Sequence, residues 1–144
     1  MKIEDLDKVT AIEASSFSIP WSKDAFEGAI LQDNYCIIVA VSDDDESDIL
    51  GYCCFYYVMD EAEIPTVCVR SDMRKMGVGT EMLQGLLKKA EELKLSSVYL
   101  EVRVSNEPAK GLYKKLGFEE SGIRKNFYER PREDAIVMRY AINA

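Results

Sequence analysis

A chain of 144 residues that is 47% hydrophobic and carries a net charge of −8 has the size of one domain, 1–144, with enough apolar matter for a core, which excludes a disordered or low-complexity protein. Its acidity argues against nucleic acid as the main ligand and fits a basic partner steered in by the field. No run approaches the roughly 18 apolar residues needed to cross a bilayer, and charge begins at Lys2, so neither a membrane span nor a secretory leader is expected and the cytoplasm is the expected compartment.

Asp5 is placed to cap a first helix that buries Leu6, Val9, Ile12 and Ala11 and ends near Ser15 and Ser16. Phe17 to Ser22 is a loop, with Trp21 plugging it onto the core and Ser22 as N-cap of a second helix that carries Phe26, Ala29 and Ile30. Strands are expected over Cys36 to Val41, Ile49 to Met59 and Glu63 to Arg70, the first two joined by an acidic hairpin tip, Asp43 to Asp48. After Gly77 and Gly79, the residues Met82, Leu83, Leu86, Leu87, Ala90 and Leu93 form one stripe at a period of 3.6, the mark of an amphipathic helix. Ser97 to Val104 is the next strand. Asn106 caps a short helix with Pro108 in its first turn, Ala109, Leu112, Tyr113 and Leu116 on its inner face, and Gly117 at its end. Phe118 to Arg124 and Ala135 to Ile142 close the chain as strands.

This order predicts a mixed α/β sheet with helices packed on its faces. The piece around Gly77 is a strand–helix–strand crossover, expected to be right-handed and to set Val67–Val69 parallel to Val98–Val102. A crevice at the carboxyl ends of such strands is where ligands bind.

The sequence has no histidine, so Ser-His-Asp and Cys-His devices are excluded, and acid–base chemistry falls to Glu, Asp, Tyr, Lys or Cys. The four cysteines, Cys36, Cys53, Cys54 and Cys68, sit in apolar strands and form no C-x-x-C pair; buried reduced thiols are expected, and no metal. The junction most suggestive of a ligand is Arg74-Lys75-Met76-Gly77-Val78-Gly79-Thr80. It fits neither a P-loop, since no Lys-Ser/Thr follows the second glycine, nor a dinucleotide fingerprint, since Met82 occupies the third glycine's position. A strand that feeds a helix through glycines still leaves N–H groups at the helix start, and with basic side chains beside them they suit a phosphate. Glu101 lies mid-strand on the face of Tyr99 and Arg103. On pattern it is either half of an exposed pair with Arg103 or a functional carboxylate. Tyr113 sits on an apolar stripe as a core tyrosine, or as a phenol with work to do.

These residues together resemble the GCN5-related N-acetyltransferases (GNAT), in particular the branch that acetylates alanine N-termini of ribosomal proteins. The likeness runs through Phe17, Pro20, Trp21 and Ser22; Asp60-Glu61-Ala62-Glu63; Arg74-x-x-Gly77-x-Gly79; Leu100-Glu101-Val102-Arg103; Ser105-Asn106; Leu112-Tyr113; Leu116-Gly117-Phe118; Arg124, Asn126, Phe127 and Tyr128; and Glu133 to Met138. Phe127 departs from the tyrosine expected there, and the segment from Glu129 to Arg132 is individual to this chain.

The resemblance implies a mostly antiparallel sheet with one parallel pair splayed at a coenzyme cleft, and acetyl-coenzyme A as donor. It assigns the pyrophosphate to the turn of Arg74, Lys75, Met76, Gly77, Val78, Gly79 and Thr80, the pantetheine arm to Val67, Cys68 and Val69, and a further coenzyme contact to Asn106. By the same resemblance Glu101 is the general base and Tyr113 the general acid, and the acceptor is a protein or peptide N-terminus, a basic ribosomal protein; a monomer is favoured, with the oligomeric state open because the aromatic run Phe55, Tyr56 and Tyr57 fits either a core or an interface. Acyl transfer by direct amine attack fits these residue types: a carboxylate to take the proton, strand N–H groups for the developing oxyanion, a phenol for the departing thiolate, and no covalent enzyme intermediate. A GNAT for a small amine or a lysine side chain, and a non-catalytic coenzyme-binding module, are the alternatives; the joint presence of Glu101 and Tyr113 counts against the last.

Overall fold

The computed structural model describes residues 5–16, 21–74, 77–129 and 131–142; Phe17, Pro20, Lys75 and Met76, singled out above, lie outside the described residues. In chain order the elements are α1 (Leu6–Ser16), α2 (Lys23–Ile30), β1 (Tyr35–Val41), β2 (Ile49–Val58), β3 (Glu61–Val69), a 3-10 turn (Ser71–Met73), α3 (Val78–Glu92), β4 (Ser97–Arg103), α4 (Glu107–Leu116), β5 (Glu119–Tyr128) and β6 (Glu133–Ala141). The six strands form one sheet in the order β1-β2-β3-β4-β6-β5, antiparallel throughout except for β3 and β4.

Helices cover both faces. On one, α1 and α2 bury Leu6, Val9, Phe26 and Ala29 against Ile37, Tyr52, Cys54 and Cys68. On the other, α3 and α4 bury Met82, Leu83, Leu86 and Tyr113 against Cys53, Phe55, Ile64 and Leu100. Cys53 and Cys54, adjacent in sequence, face opposite layers because a strand alternates its side chains. Each such fully buried apolar side chain contributes about 1.5–3 kcal/mol. Ser22 caps α2 by accepting from the Ala25 N–H at 3.1 Å.

Several expectations are corrected here. Ala11 is exposed, and the inner face of α1 carries Glu13 instead. Leu93 is 37% exposed: it caps α3, Lys94 then turns the chain back at a positive φ of 60°, and Leu95 is buried instead. The strand Phe118–Arg124 runs on to Tyr128, because its hairpin with β6 pairs Tyr128 with Glu133. The parallel pairing does not involve Val67–Val69. It joins Glu61–Ile64 to Ser97–Leu100 and stops there.

The stop has a local cause. Pro65 follows Ile64 and has no N–H to continue the ladder. The pairing with β2 also slips by one residue here, since Cys54 faces Thr66 and Tyr56 faces Glu63. This bulge turns Ile64 and Thr66 to opposite faces. Beyond it β3 and β4 part, opening a wedge in the sheet.

Candidate active site

A cavity of about 450 Å³ occupies the wedge. Its walls come from both strands (Pro65, Thr66, Val67, Glu101), from α4 (Tyr113) and from the first loop (Trp21). The sheet therefore brings together Glu101, Tyr113, Asn106 and Val67, four of the residues marked in the sequence, around one space.

Val67 and Val69 keep their pairing with β2 on one edge and have lost β4 on the other. Arg70 donates its N–H to the Leu50 carbonyl at 2.8 Å, so alternation turns the main-chain groups of Val69 and Val67 away from β2, into the gap. The Val69 carbonyl accordingly accepts from Arg74 Nε at 3.2 Å rather than from β2. Cys68 alternates the other way: its main chain faces Tyr52 and its side chain is buried under α1. Only Val67 and Val69 of this trio face the gap.

Arg70 also fixes the turn beyond, binding Asp48 at 2.8 Å and Asp72 at 2.6 Å. The chain then enters α3 through Gly77 at a φ of 81°, which a residue with a Cβ adopts only under strain. Among the described residues no side chain caps this helix, and its first internal bond runs from the Glu81 N–H to the Gly77 carbonyl. The N–H groups of Val78, Gly79 and Thr80 therefore have no acceptor within the helix, and the helix dipole adds positive potential there. Gly79 faces Leu112 and Val69, its missing Cβ 3.5 and 3.6 Å from their methyl groups, so the helix start lies against the end of β3 and against α4. Asn106 accepts from the Ala109 N–H at 3.2 Å as N-cap of α4. Replacing it with alanine is expected to cost about 1 kcal/mol of stability, read as a lowered melting temperature.

The exposed Glu101–Arg103 pair is not formed. Glu101, with 11% of its side chain exposed, binds Arg124 at 2.9 Å across the sheet. Arg103 reaches the other way, to Glu133 at 3.3 Å and to the carbonyls of Pro131 at 2.9 Å and Glu129 at 3.2 Å, and lies over the Tyr128 ring. It thereby pins the β5–β6 turn beside the cavity. Antiparallel pairing of β4 with β6 places Glu133 and Arg103 near one another, a relation invisible in linear sequence. Phe127, lacking the expected hydroxyl, stacks under Arg124 at 4.9 Å, so the ring itself orients the partner of Glu101.

Burial pushes the Glu101 carboxyl above the ordinary carboxylate range. The neighbouring Glu63 pushes in the same direction, and Arg124 opposes both without cancelling them. Burial likewise holds the Tyr113 phenol up at about 12, its ring packed on Phe118 with centroids 5.8 Å apart. Tyr113 is thus both a core tyrosine and a wall of the cavity. One carboxyl made more basic and one phenol kept protonated is the division of labour of a base and an acid.

Sequence reasoning missed Glu13. Only 3% exposed, it lines the cavity and accepts the Trp21 N–H at 2.9 Å, the Tyr52 hydroxyl, and the Thr66 hydroxyl at 3.4 Å. A glutamate in the apolar stripe Val9, Ile12, Glu13 is the signal that could have found it.

A sequence model of the Acetyltransferase (GNAT) family matches residues 6–118. The chain belongs to the GNAT family. GNAT relatives with named activities run along nearly the whole length. The [ribosomal protein bS18]-alanine N-acetyltransferase of Escherichia coli K12 is 31% identical over 99% of this chain and 95% of its own. A Bacillus subtilis protein provisionally given the same name is 40% identical over 99% and 93%. The crystal structure of the E. coli enzyme superposes with a TM-score of 0.90 at 30% identity, covering 100% of this chain and 92% of that one. Arabidopsis thaliana NAA60, solved with acetyl-CoA, shares the GNAT fold at a TM-score of 0.87 and 21% identity, over 96% and 95% of the two chains.

GNAT enzymes take their acetyl group from acetyl-coenzyme A, and this structure fits that donor. The open helix start suits a pyrophosphate, and the free edge at Val67 and Val69 suits an extended amide-bearing arm.

Proposed function

We propose that this protein transfers the acetyl group of acetyl-coenzyme A to the α-amino group of an N-terminal alanine, with ribosomal protein bS18 as its target. The observation that carries this reading is the wedge itself, where Glu101 and Tyr113 line one cavity beside the free edge of β3. The named activity of relatives that match along nearly the full length supports the choice of acceptor.

In this reading Val78, Gly79 and Thr80, with Lys75 and Met76 before them, hold the pyrophosphate. Val67 and Val69 hold the arm, Asn106 adds a contact, and Arg74 lies alongside. The coenzyme supplies an acetyl group activated as a thioester. Glu101 removes the proton of the incoming amine. Main-chain N–H groups of the free β3 edge donate to the carbonyl oxygen as charge builds on it, and Tyr113 gives its hydroxyl proton to the departing sulfur and takes back the second proton that the nitrogen sheds as the amide forms. An α-amino group has a pKa of about 7.7–8.0, whereas a lysine amine near 10.4 needs roughly 3 kcal/mol more to deprotonate at the same pH, so a single carboxylate suits an N-terminus better. The carboxylates of Glu13, Glu101 and Glu129 around the cavity attract the ammonium form before that step, and the net charge of −8 attracts a basic protein.

The test is a panel of short peptides beginning with Ala, Ser or Met, with an N-blocked lysine peptide and a polyamine, each given acetyl-coenzyme A while thiol release is followed. The expected result is fastest turnover on the bS18-derived alanine peptide, with the added mass on its first residue. Preferred acetylation of lysine or of the polyamine would overturn the choice of acceptor. Tyr113→Phe is expected to lower kcat about 10²-fold with little change in coenzyme affinity, because it removes one proton donor and leaves the ring in place.

A further inference from the structure

The chemistry makes one demand that the base and acid alone do not meet. An ammonium group that becomes an amide nitrogen loses two protons. One ends on the sulfur of the leaving thiol, and the other must leave the enzyme at every turnover. Glu101 is largely buried, so a proton it accepts needs a way out.

Glu63 lies on that way. It precedes the splay by one residue, in the last stretch of pairing, where it faces Tyr99, and side-chain alternation along β4 puts Tyr99 and Glu101 on the same sheet face. Its side chain and that of Glu101 line the same cavity from neighbouring strands, on one face of the sheet. Its Oε2 accepts the Tyr56 hydroxyl at 2.6 Å, and Tyr56 is itself held by stacking on Tyr35 with ring centroids 5.2 Å apart. Two acidic side chains so placed cannot both stay charged at low cost. Glu63, Tyr56, Glu101 and Arg124 all line a second, open cavity of about 690 Å³ on the β2–β3 hairpin side, away from the space beside Tyr113. Glu101 alone of these lines both cavities, standing between the reaction space and the exit.

We propose that Glu63 and Glu101 act as a carboxyl pair carrying one proton between them, and that Glu63, oriented by Tyr56, passes the amine proton from Glu101 to solvent in the second cavity. The N–H bond of the amine breaks as an O–H bond forms on Glu101. As Glu63 releases the pair's resting proton to water or buffer in the open cavity, the O–H bond on Glu101 breaks and one forms on Glu63, which leaves the pair again with one proton. Glu63 touches neither substrate nor sulfur and is a positioning and relay residue. The inference rests on Glu101 being the base. The groups facing Glu101 are Glu63 from β3, Tyr56 from β2, Tyr99 and Arg103 on its own strand, Arg124 and Tyr128 from β5, and Glu13 of α1 across the first cavity; β6 presents Val137.

The experiment compares Glu63→Gln, Glu63→Asp, Tyr56→Phe and Glu101→Gln with the wild type, using acetyl-coenzyme A and an alanine-initiated peptide. For Glu63→Gln, kcat should fall about tenfold at low buffer concentration, with KM for both substrates nearly unchanged. Its acidic limb of kcat against pH should move to lower pH, as the like charge beside Glu101 is gone, and added small buffers should restore part of the rate. Glu63→Asp should keep the limb, and Tyr56→Phe should show a smaller loss with the same buffer rescue. A purely structural role would lower kcat without moving the limb or answering to buffer. That result overturns the proposal, as does a wild-type kcat in Glu63→Gln. If Glu101→Gln falls while Glu63→Gln does not, the relay alone fails; if Glu101→Gln keeps wild-type kcat, the base and the relay fail together.

Discussion

Glu101→Gln is expected to lower kcat by about 10²–10³-fold while leaving the dissociation constant for acetyl-coenzyme A within about twofold of the wild type. The amide has the shape of the carboxyl and can still meet Arg124, so the sheet and the wedge should persist. What disappears is the one group on the cavity wall that combines burial, a like-charged neighbour and a position at the mouth of the splay. The coenzyme contacts proposed above are main-chain groups at the start of α3 and along Val67 and Val69, which this side-chain change leaves in place. A stopped-flow or steady-state thiol assay with calorimetric titration of the coenzyme separates the two quantities. A variant with wild-type kcat, or one that has lost coenzyme affinity in proportion to rate, would remove Glu101 from its role.

The same substitution should stabilise the protein at neutral pH. Burial and Glu63 raise the Glu101 pKa in the folded state above its unfolded value. The folded state therefore binds more protons between those two values, and stability falls as pH rises through that window. Above it, the ionised side chain costs stability that glutamine does not. Thermal melts should thus place Glu101→Gln above the wild type near pH 7 and bring the two together at acidic pH, below the unfolded pKa. In the proposed role of Glu101, the raised pKa is a local cost in stability that serves the chemistry.

How far the sequence reached follows from the range of the interactions involved. The helices were legible because their signals are local: Ser22 and Asn106 as caps, Gly117 as a stop, and the stripe Met82 to Ala90. The mostly antiparallel sheet with one splayed parallel pair came from the resemblance, whereas the order β1-β2-β3-β4-β6-β5 depends on long-range pairing that no local signal carries. The parallel pairing was placed one segment too late, at Val67–Val69 instead of Glu61–Ile64. Val67–Val69 is the more apolar run, and its look of a buried parallel strand hid the fact that Pro65 and the bulge end the pairing before it begins. An Arg103–Glu101 pair stood as one of two readings because the residues are two apart on one face. Antiparallel neighbours supplied each with a better partner, Glu133 and Arg124. Glu63 stood in a quoted motif with no role attached, because its meaning depends on Tyr56 and Glu101, brought to it by β2 and β4.

Glu13→Ala is expected to destabilise the protein by about 3 kcal/mol, because it strips the acceptor from three donors at once, and hydrogen bonds to a charged group are each worth about 1.5–3 kcal/mol. Those donors come from three separate elements: the Trp21 main chain after α1, the Tyr52 hydroxyl on β2, and the Thr66 hydroxyl just past the bulge of β3. Burial and the adjacent Glu13 push the Tyr52 hydroxyl well above the ordinary phenol range, so it remains a donor at any working pH. Water entering from the cavity offsets part of the loss, which keeps the estimate below the sum of three such bonds. For a chain of this length the melting temperature should fall by roughly 10 °C. Glu13→Gln retains an acceptor and should lose less. Tyr52→Phe should lose less again, and the double variant Glu13→Ala/Tyr52→Phe should be less destabilised than the two single changes added together, since the orphaned hydroxyl is then absent. Because the bond to the Trp21 N–H seats the first loop on the cavity wall, with the Trp21 ring on Phe26 at 5.2 Å, the surviving folded fraction of Glu13→Ala should show a raised KM for the peptide and unchanged coenzyme affinity. A melting temperature equal to that of the wild type would mean that the loop and the two strands hold together without this carboxylate.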